Sequence, residues 1–354
     1  MNLIRKIINF FSYLIFLAIT VLLLLEIIFR VLPTTSPVDL QPIISEDKIL
    51  NFEPNQTGTF SLGANFYKTV SKKTNNAGFY SNYPYENDAE PDIVVIGDSY
   101  IEAAQIQNND TVGALLQEKD GISLVYQMGV SGVPLSQYIK MADFAKTHYS
   151  PKQYVILIVG NDFDQSLCDY RVKEGTWCFD KNYNLTFVPF NGYQGVRSFA
   201  RQSAFIRYLV FQLGINWRQL MFRIGLSDKG MEADHNYAGN VKRYKPQQIV
   251  KDSMIVVDRF MEALSAMKIE KKVTLVVDAD RQDIYTGRLT SSYFRQMRDY
   301  TIKSAKLHNI EVIDMQPIFE QDYLKHGQKF DFPTDGHWNE RAHNLLSTAI
   351  MKNK

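Results

Sequence analysis

Four β-branched residues in an unbroken run, Ile93 to Ile96, stop at Gly97-Asp98-Ser99. Such a run suits a strand covered on both faces, as in a parallel sheet. The pattern recurs. Ile122 to Tyr126 leads into Gln127-Met128-Gly129-Val130-Ser131-Gly132, and Tyr154 to Val159 ends at Gly160-Asn161-Asp162. Helical patterns fill the intervals: Val112, Leu115 and Leu116 mark a helix that includes Thr111 to Glu118, and another runs from about Leu135 to Thr147. Strand and helix alternating at these distances predict right-handed crossover units and a doubly wound parallel sheet. In that arrangement the strands' carboxyl ends line one edge, where α/β proteins place their chemistry. Ser99, Gly132 and Asn161 are expected to meet there.

The alternation breaks after Asp162. An insertion at about 163–245 holds Cys168, Cys178, Trp177 and Trp217, with an apolar stretch from Phe205 to Leu213 that reads as part of a helix. Its aromatic face fits core packing, a cover over the site, or a surface resting on a membrane. Asp228 to Tyr244 reads as a polar loop. Order returns with a helix over about 247–267 and a strand from Val273 to Val277 that ends in Asp278-Ala279-Asp280-Arg281. A helix over about 291–307, a last strand from Glu311 to Ile313 and a final helix over about 340–351 complete the domain, 91–354. Asp278, Asp280 and Arg281 are read either as contacts to a polar ligand or as surface salt bridges.

The amino terminus places the chain. Ile7 to Leu25 pass without a charge, a length of nineteen residues that can cross a bilayer core as a helix. Arg5 and Lys6 precede the run, so residues 1–31 are expected to be an uncleaved anchor with a cytoplasmic amino terminus and everything beyond it extracytoplasmic. A cleaved signal peptide fits less well, because no small-x-small site follows through Thr35. Residues 32–90 read as a linker, stiffened at Pro33 and Pro37, and an extended arm packed on the main domain. Cys168 and Cys178 could close a small loop in an oxidising compartment or remain buried thiols; no histidine stands at zinc-like spacing from either, and no metal or cofactor is expected. A net charge of +1 with scattered basic residues excludes a general electrostatic case for nucleic acid.

Taken alone, Asp98 or Ser99 fits the N-cap of a helix through Tyr100 to Gln105. As a nucleophile it needs a base, and among the six histidines His337 stands out, because Asp335 lies two residues before it. An acyl-transfer site also needs donors for a developing oxyanion, and the N–H groups of Ser99 and Gly132 and the amide of Asn161 are suitable. Gly97-Asp98-Ser99, Gly132, Gly160-Asn161-Asp162 and Asp335-Gly336-His337 together resemble the four signature blocks of the SGNH, or GDSL-type, hydrolases.

The resemblance spans about Ile93 to Thr348 and implies a flavodoxin-like three-layer α/β/α sandwich. It further implies Ser99 as nucleophile, His337 as general base and then acid, Asp335 as its orienting carboxylate, and Gly132 and Asn161 completing the oxyanion hole. Gly129 is the alternative glycine and Asp331 the alternative carboxylate. Two departures from the family pattern are Val159 where the third block usually begins with glycine, and D-x-H where D-x-x-H is common. The implied function is a membrane-anchored serine esterase that removes an acyl, plausibly acetyl, group from a cell-envelope carbohydrate or lipid. An O-acyltransferase using the same triad and a non-catalytic tethered scaffold are the alternatives. Tyr100 is placed to shape the pocket, and Glu102 has no assigned role.

Overall fold

The computed structural model describes residues 2–119, 121–171, 173–192, 201–215, 236–237, 241–267, 272–287 and 291–353. Trp217, His235 and most of the polar loop expected from Asp228 to Tyr244 lie outside them. The chain forms two compact units.

The larger unit is built on five parallel strands: β3 (Ile93–Gly97), β4 (Val125–Gly129), β5 (Gln153–Ile158), β10 (Lys272–Val277) and β11 (Glu311–Asp314). Their spatial order is β4-β3-β5-β10-β11 and every pairing is parallel. This is the flavodoxin-like doubly wound order, in which the first strand of the sheet, here β3, lies between the second and third. Side chains alternate across the sheet, as the two-residue period of a strand requires. Val94, Ile96, Ile156, Ile158, Leu275 and Val277 pack into one core, whereas Ile93, Val95, Val155, Leu157 and Val276 pack into the other. The first core is closed by α4 (Leu135–His148), α6 (Gln247–Ala266) and α8 (Tyr293–Leu307). The second is closed by α3 (Val112–Gln117), α9 (Met315–His326) and α10 (Glu340–Lys352).

The structure departs from the sequence reading in several places. The second strand starts at Val125 rather than Ile122, because Ser123 and Leu124 donate their N–H groups to the Asp92 carboxylate at 2.7 and 3.3 Å instead of joining the ladder. Helix α9 was not expected between the last strand and Asp335. Its buried residues are few, Met315 and Phe319, so it carries a weak apolar stripe. Asp335 to Trp338, read as loop, is a short strand β13 paired antiparallel with β12 (Asp331–Phe332).

The arm belongs to this unit from Val38 to Thr57 and again from Lys72. Ile43, Leu50, Phe52, Phe79 and Tyr85 enter the first core. At the outer edge of the sheet, on β4, the Tyr85 hydroxyl donates to Gln127 O at 2.9 Å and accepts the Gln127 N–H at 2.6 Å, covering edge groups that would otherwise invite pairing. Within the insertion, β6 (Thr176–Phe179) and β7 (Leu185–Val188) form a hairpin, β8 (Asn236–Tyr237) pairs antiparallel with β9 (Val241–Lys242), and Cys168 is bonded to Cys178.

The smaller unit contains α1 (Asn2–Val31), most of the ribbon made by β1 (Thr57–Leu62) and β2 (Lys68–Lys73), and residues 201–215 of the insertion. Ile4–Val31 of α1 is long and apolar enough to cross a membrane. The stretch expected as one helix over Phe205 to Leu213 is a turn of α-helix, α5 (Ala204–Arg207), continued as a π-helical turn through Gln212. Glu26 of α1 caps it: the carboxylate accepts the Ser203 hydroxyl at 2.7 Å and the N–H groups of Ala204 and Phe205 at 3.1 Å each. Phe29 packs on Phe205 and Tyr208, with ring centroids 5.5 and 4.2 Å apart.

Gly129 shows what the sheet demands. A Cβ there would lie 2.1 Å from Glu102 N, a backbone atom that cannot move aside cheaply. Gly129→Ala is expected to destabilise the larger unit by about 2 kcal/mol or more, read as a lower midpoint in denaturant unfolding.

Candidate active site

Strand β3 ends at Gly97 and turns at once into α2 (Ser99–Glu102). Asp98 is the N-cap, accepting the Tyr100 N–H at 3.0 Å. With Asp98 in the capping place, the Ser99 hydroxyl is released from that duty. It lies 2.8 Å from His337 Nε2 and 3.3 Å from Asp98 Oδ2. A hydroxyl carries one proton, and the shorter contact is to the imidazole.

His337 sits on β13. One oxygen of Asp335, Oδ1, accepts both the His337 backbone N–H at 2.9 Å and its ring Nδ1–H at 2.5 Å. The D-x-H spacing thus lets a single carboxylate oxygen fix backbone and ring together. Oδ2 accepts an N–H of the Gln105 side chain at 3.1 Å. With Nδ1 donating to a carboxylate, Nε2 is left as the acceptor for the serine proton. Asp331, the alternative carboxylate, lies instead 3.6 Å from Arg281 Nη1.

Burial pulls the His337 imidazole down, but the hydrogen bond and charge of Asp335, helped by Asp98 and Glu102, outweigh it and hold the ring above its ordinary pKa. Asp335 is pushed up by burial, yet the His337 contacts and Gln105 keep it below the usual carboxylate value. Asp98 goes the other way, raised by burial against the donors around it.

The strand ends deliver the remaining parts. Ser99 and Asn161 follow β3 and β5, which flank the point where the strand order reverses. Asn161 Nδ2 donates to Asp98 Oδ2 at 3.3 Å, so Asp98 contacts both Ser99 and Asn161. Gly132 follows β4 at φ +69, a left-handed conformation that favours glycine. Gly129 lies inside β4, where its lack of a side chain serves the approach of α2. Asp162 is buried and accepts the Val159 N–H at 2.7 Å and the Tyr138 hydroxyl at 3.0 Å, a brace for the turn after β5.

Asp278, Asp280 and Arg281 are not surface salt bridges: all three are buried. Arg281 donates to Gly336 O at 2.8 Å and to the Tyr100 hydroxyl at 2.7 Å, and Asp278 Oδ1 accepts the Trp338 indole N–H at 3.0 Å. The Tyr100 hydroxyl donates to Gly336 O at 3.1 Å, and its ring centroid is 5.0 Å from that of His337. Both neighbours of His337 in sequence are therefore pinned from beneath. Asp280 caps α7 (Arg281–Thr286) and accepts the Ser292 hydroxyl at 2.8 Å.

Glu102 also differs from its reading as a bystander. It is buried, and its carboxylate accepts the Ser131 N–H at 2.5 Å. The sequence carried no signal for Gln105 or for the observed roles of Glu102 and Arg281, because each acts on a residue remote in the chain. His343 is accounted for by the fold: buried and pushed down to about 3 by burial and by Lys72, it accepts the Val112 N–H at the start of α3.

No family model and no curated protein matches the chain. It is similar to solved lipolytic proteins and esterases. A lipolytic protein of the G-D-S-L family from Veillonella parvula aligns over 73% of this chain and 96% of its own, at 14% identity and a TM-score of 0.39. An acetyl xylan esterase covers 74% and 98% at 15% identity and 0.38. A psychrotrophic esterase from a Pseudoalteromonas species covers 73% and 94% at 11% identity and 0.36.

In a proton-observed NMR titration the His337 ring is expected to titrate above about 6.5, the ordinary imidazole value. In Asp335→Asn its pKa is expected to fall, since the largest opposing influence, burial, remains. His343 stays neutral through the same range and serves as the internal reference.

Proposed function

We propose that this chain is a membrane-anchored SGNH-type serine esterase acting on acyl esters of a cell-envelope carbohydrate or lipid. The relay from Ser99 Oγ to His337 Nε2 at 2.8 Å and from His337 Nδ1 to Asp335 at 2.5 Å carries the reading. His337 takes the serine proton as Oγ attacks the acyl carbon, and Asp335 stabilises the imidazolium that forms. The carbonyl oxygen becomes an oxyanion received by the N–H groups of Ser99 and Gly132 and the amide of Asn161, each such donor contributing about 3 kcal/mol. Collapse returns the proton from His337 to the departing alcohol and leaves Ser99 acylated. Water, deprotonated by the same imidazole, then releases the acid and restores the serine.

Two observations support a retained anchor facing an oxidising compartment. The last turns of α1 are built into folded structure through Glu26 and Phe29, and cleavage after Val31 would strip the cap from α5. The Cys168–Cys178 bridge suits an extracytoplasmic location.

Ser99→Ala in the full-length chain in detergent is expected to lower p-nitrophenyl acetate hydrolysis by about 10³-fold or more while leaving the melting temperature nearly unchanged. Retained turnover would remove Ser99 from the mechanism. Intact mass measurement of the chain recovered from membranes is expected to include α1; a mature form starting after Val31 would refute the anchor.

A further inference from the structure

The two peptides that flank Ser131 are each held by a charged side chain. Glu102 accepts the Ser131 N–H at 2.5 Å, and Lys173 Nζ donates to the Ser131 carbonyl at 2.6 Å. Arg171 Nη2 and Lys173 Nζ lie 3.4 and 3.6 Å from the position a Cβ on Gly132 would take. In a trans peptide the C=O and the following N–H point in opposite directions. Holding the Ser131 carbonyl therefore fixes the direction of the Gly132 N–H, and among the described residues that N–H has no acceptor. A cation on the carbonyl oxygen also polarises the peptide and strengthens its N–H as a donor.

Lys173 lies within the loop closed by Cys168 and Cys178. That loop is tied down at both ends. Cys168 N donates to Phe179 O at 2.9 Å, the Ser136 hydroxyl donates to Trp177 O at 2.7 Å, and the Trp177 N–H reaches Gln137 Oε1 at 3.0 Å. Ser136 and Gln137 open α4, directly after the Gly132 turn, so the loop that carries Lys173 and the turn it grips share one support.

We infer that Lys173 is a positioning residue for catalysis: by holding the Ser131 carbonyl it aims the Gly132 N–H as an oxyanion donor, and the Cys168–Cys178 loop presents it for that purpose. The inference rests on the proposed serine-esterase reading of the site. Lys173 is half-buried, and the charged groups facing it are Arg171 on its own loop, Glu102 on α2 and Asp98 at the end of β3. Burial, with Arg171, outweighs the two carboxylates and brings the ammonium down to about 8. Its charge is present below that pH and lost above it, so the grip weakens on the alkaline side.

The test is steady-state hydrolysis of p-nitrophenyl acetate by the full-length chain in detergent, from pH 6 to 10, for wild type, Lys173→Met, Lys173→Arg and Ser99→Ala. Lys173→Met is expected to lower kcat about tenfold to a hundredfold with KM changed by less than about threefold, since a misdirected oxyanion donor is felt in the transition state. Wild-type kcat is expected to decline above about pH 8. Lys173→Arg, charged throughout, keeps most of the activity and loses that decline. Slower inactivation of Lys173→Met by a small serine-directed phosphonate, at unchanged melting temperature, supports the same assignment. If Ser99→Ala is inactive while Lys173→Met keeps wild-type kcat, or Lys173→Arg keeps the alkaline decline, the role of Lys173 is overturned and the esterase reading stands. If Ser99→Ala remains active, the esterase reading itself fails.

Discussion

Parallel pairing cannot be closed by a tight turn, and that constraint organises the larger unit. Each strand must be followed by a crossover that carries the chain back to its starting end, so the carboxyl ends of all five strands gather at one edge. Ser99 after β3, Gly132 after β4, Asn161 after β5 and Asp278 after β10 lie along that edge for that reason. The same geometry explains the glycines at the top of the sheet. Helix α2 starts without a linker after β3 and crosses β4 so closely that Gly129 has no room for a Cβ.

Around that edge the fold buries more charge than a core tolerates without compensation. Asp98, Glu102, Asp278 and Arg281 are all buried, and each is engaged by hydrogen bonds or by an opposite charge. An unpaired ion in such a place would cost several kcal/mol, so each partner is under constraint. The outcome is a scaffold beneath the Ser99–His337 pair in which Arg281 and Tyr100 hold Gly336 and Asp278 holds Trp338. Charges that look like surface decoration in the sequence are, in the folded chain, the fixtures of the histidine.

The strands and crossover helices were legible because their signals are local. Unbroken β-branched runs mark buried strands, and the helical spacing of Val112 and Leu116 marks a face that packs on them. Ser99, His337 and Asp335 could be singled out because Asp-x-His is itself a local pattern and the serine closes a strand. Helix α9 was missed because only Met315 and Phe319 are buried. The β4 boundary was misplaced because the Asp92 side chain takes up the backbone donors of Ser123 and Leu124, an exchange that spans 31 and 32 positions. Glu102 and Arg281 were misread for the same reason, since Arg281 meets Tyr100 across 181 positions.

By itself the sequence determined the class of fold, the apolar helix at its start, and which residues have the chemistry of a nucleophile, a base and oxyanion donors. Those properties follow from side-chain type and short-range period. The tertiary structure alone decided that Ser99 and His337 meet across 238 positions, that Asp331 turns to Arg281, and that Glu102 and Lys173 hold the two peptides that flank Ser131. Each of those choices is a contact between segments the chain brings together only when the sheet closes, and no local pattern records it.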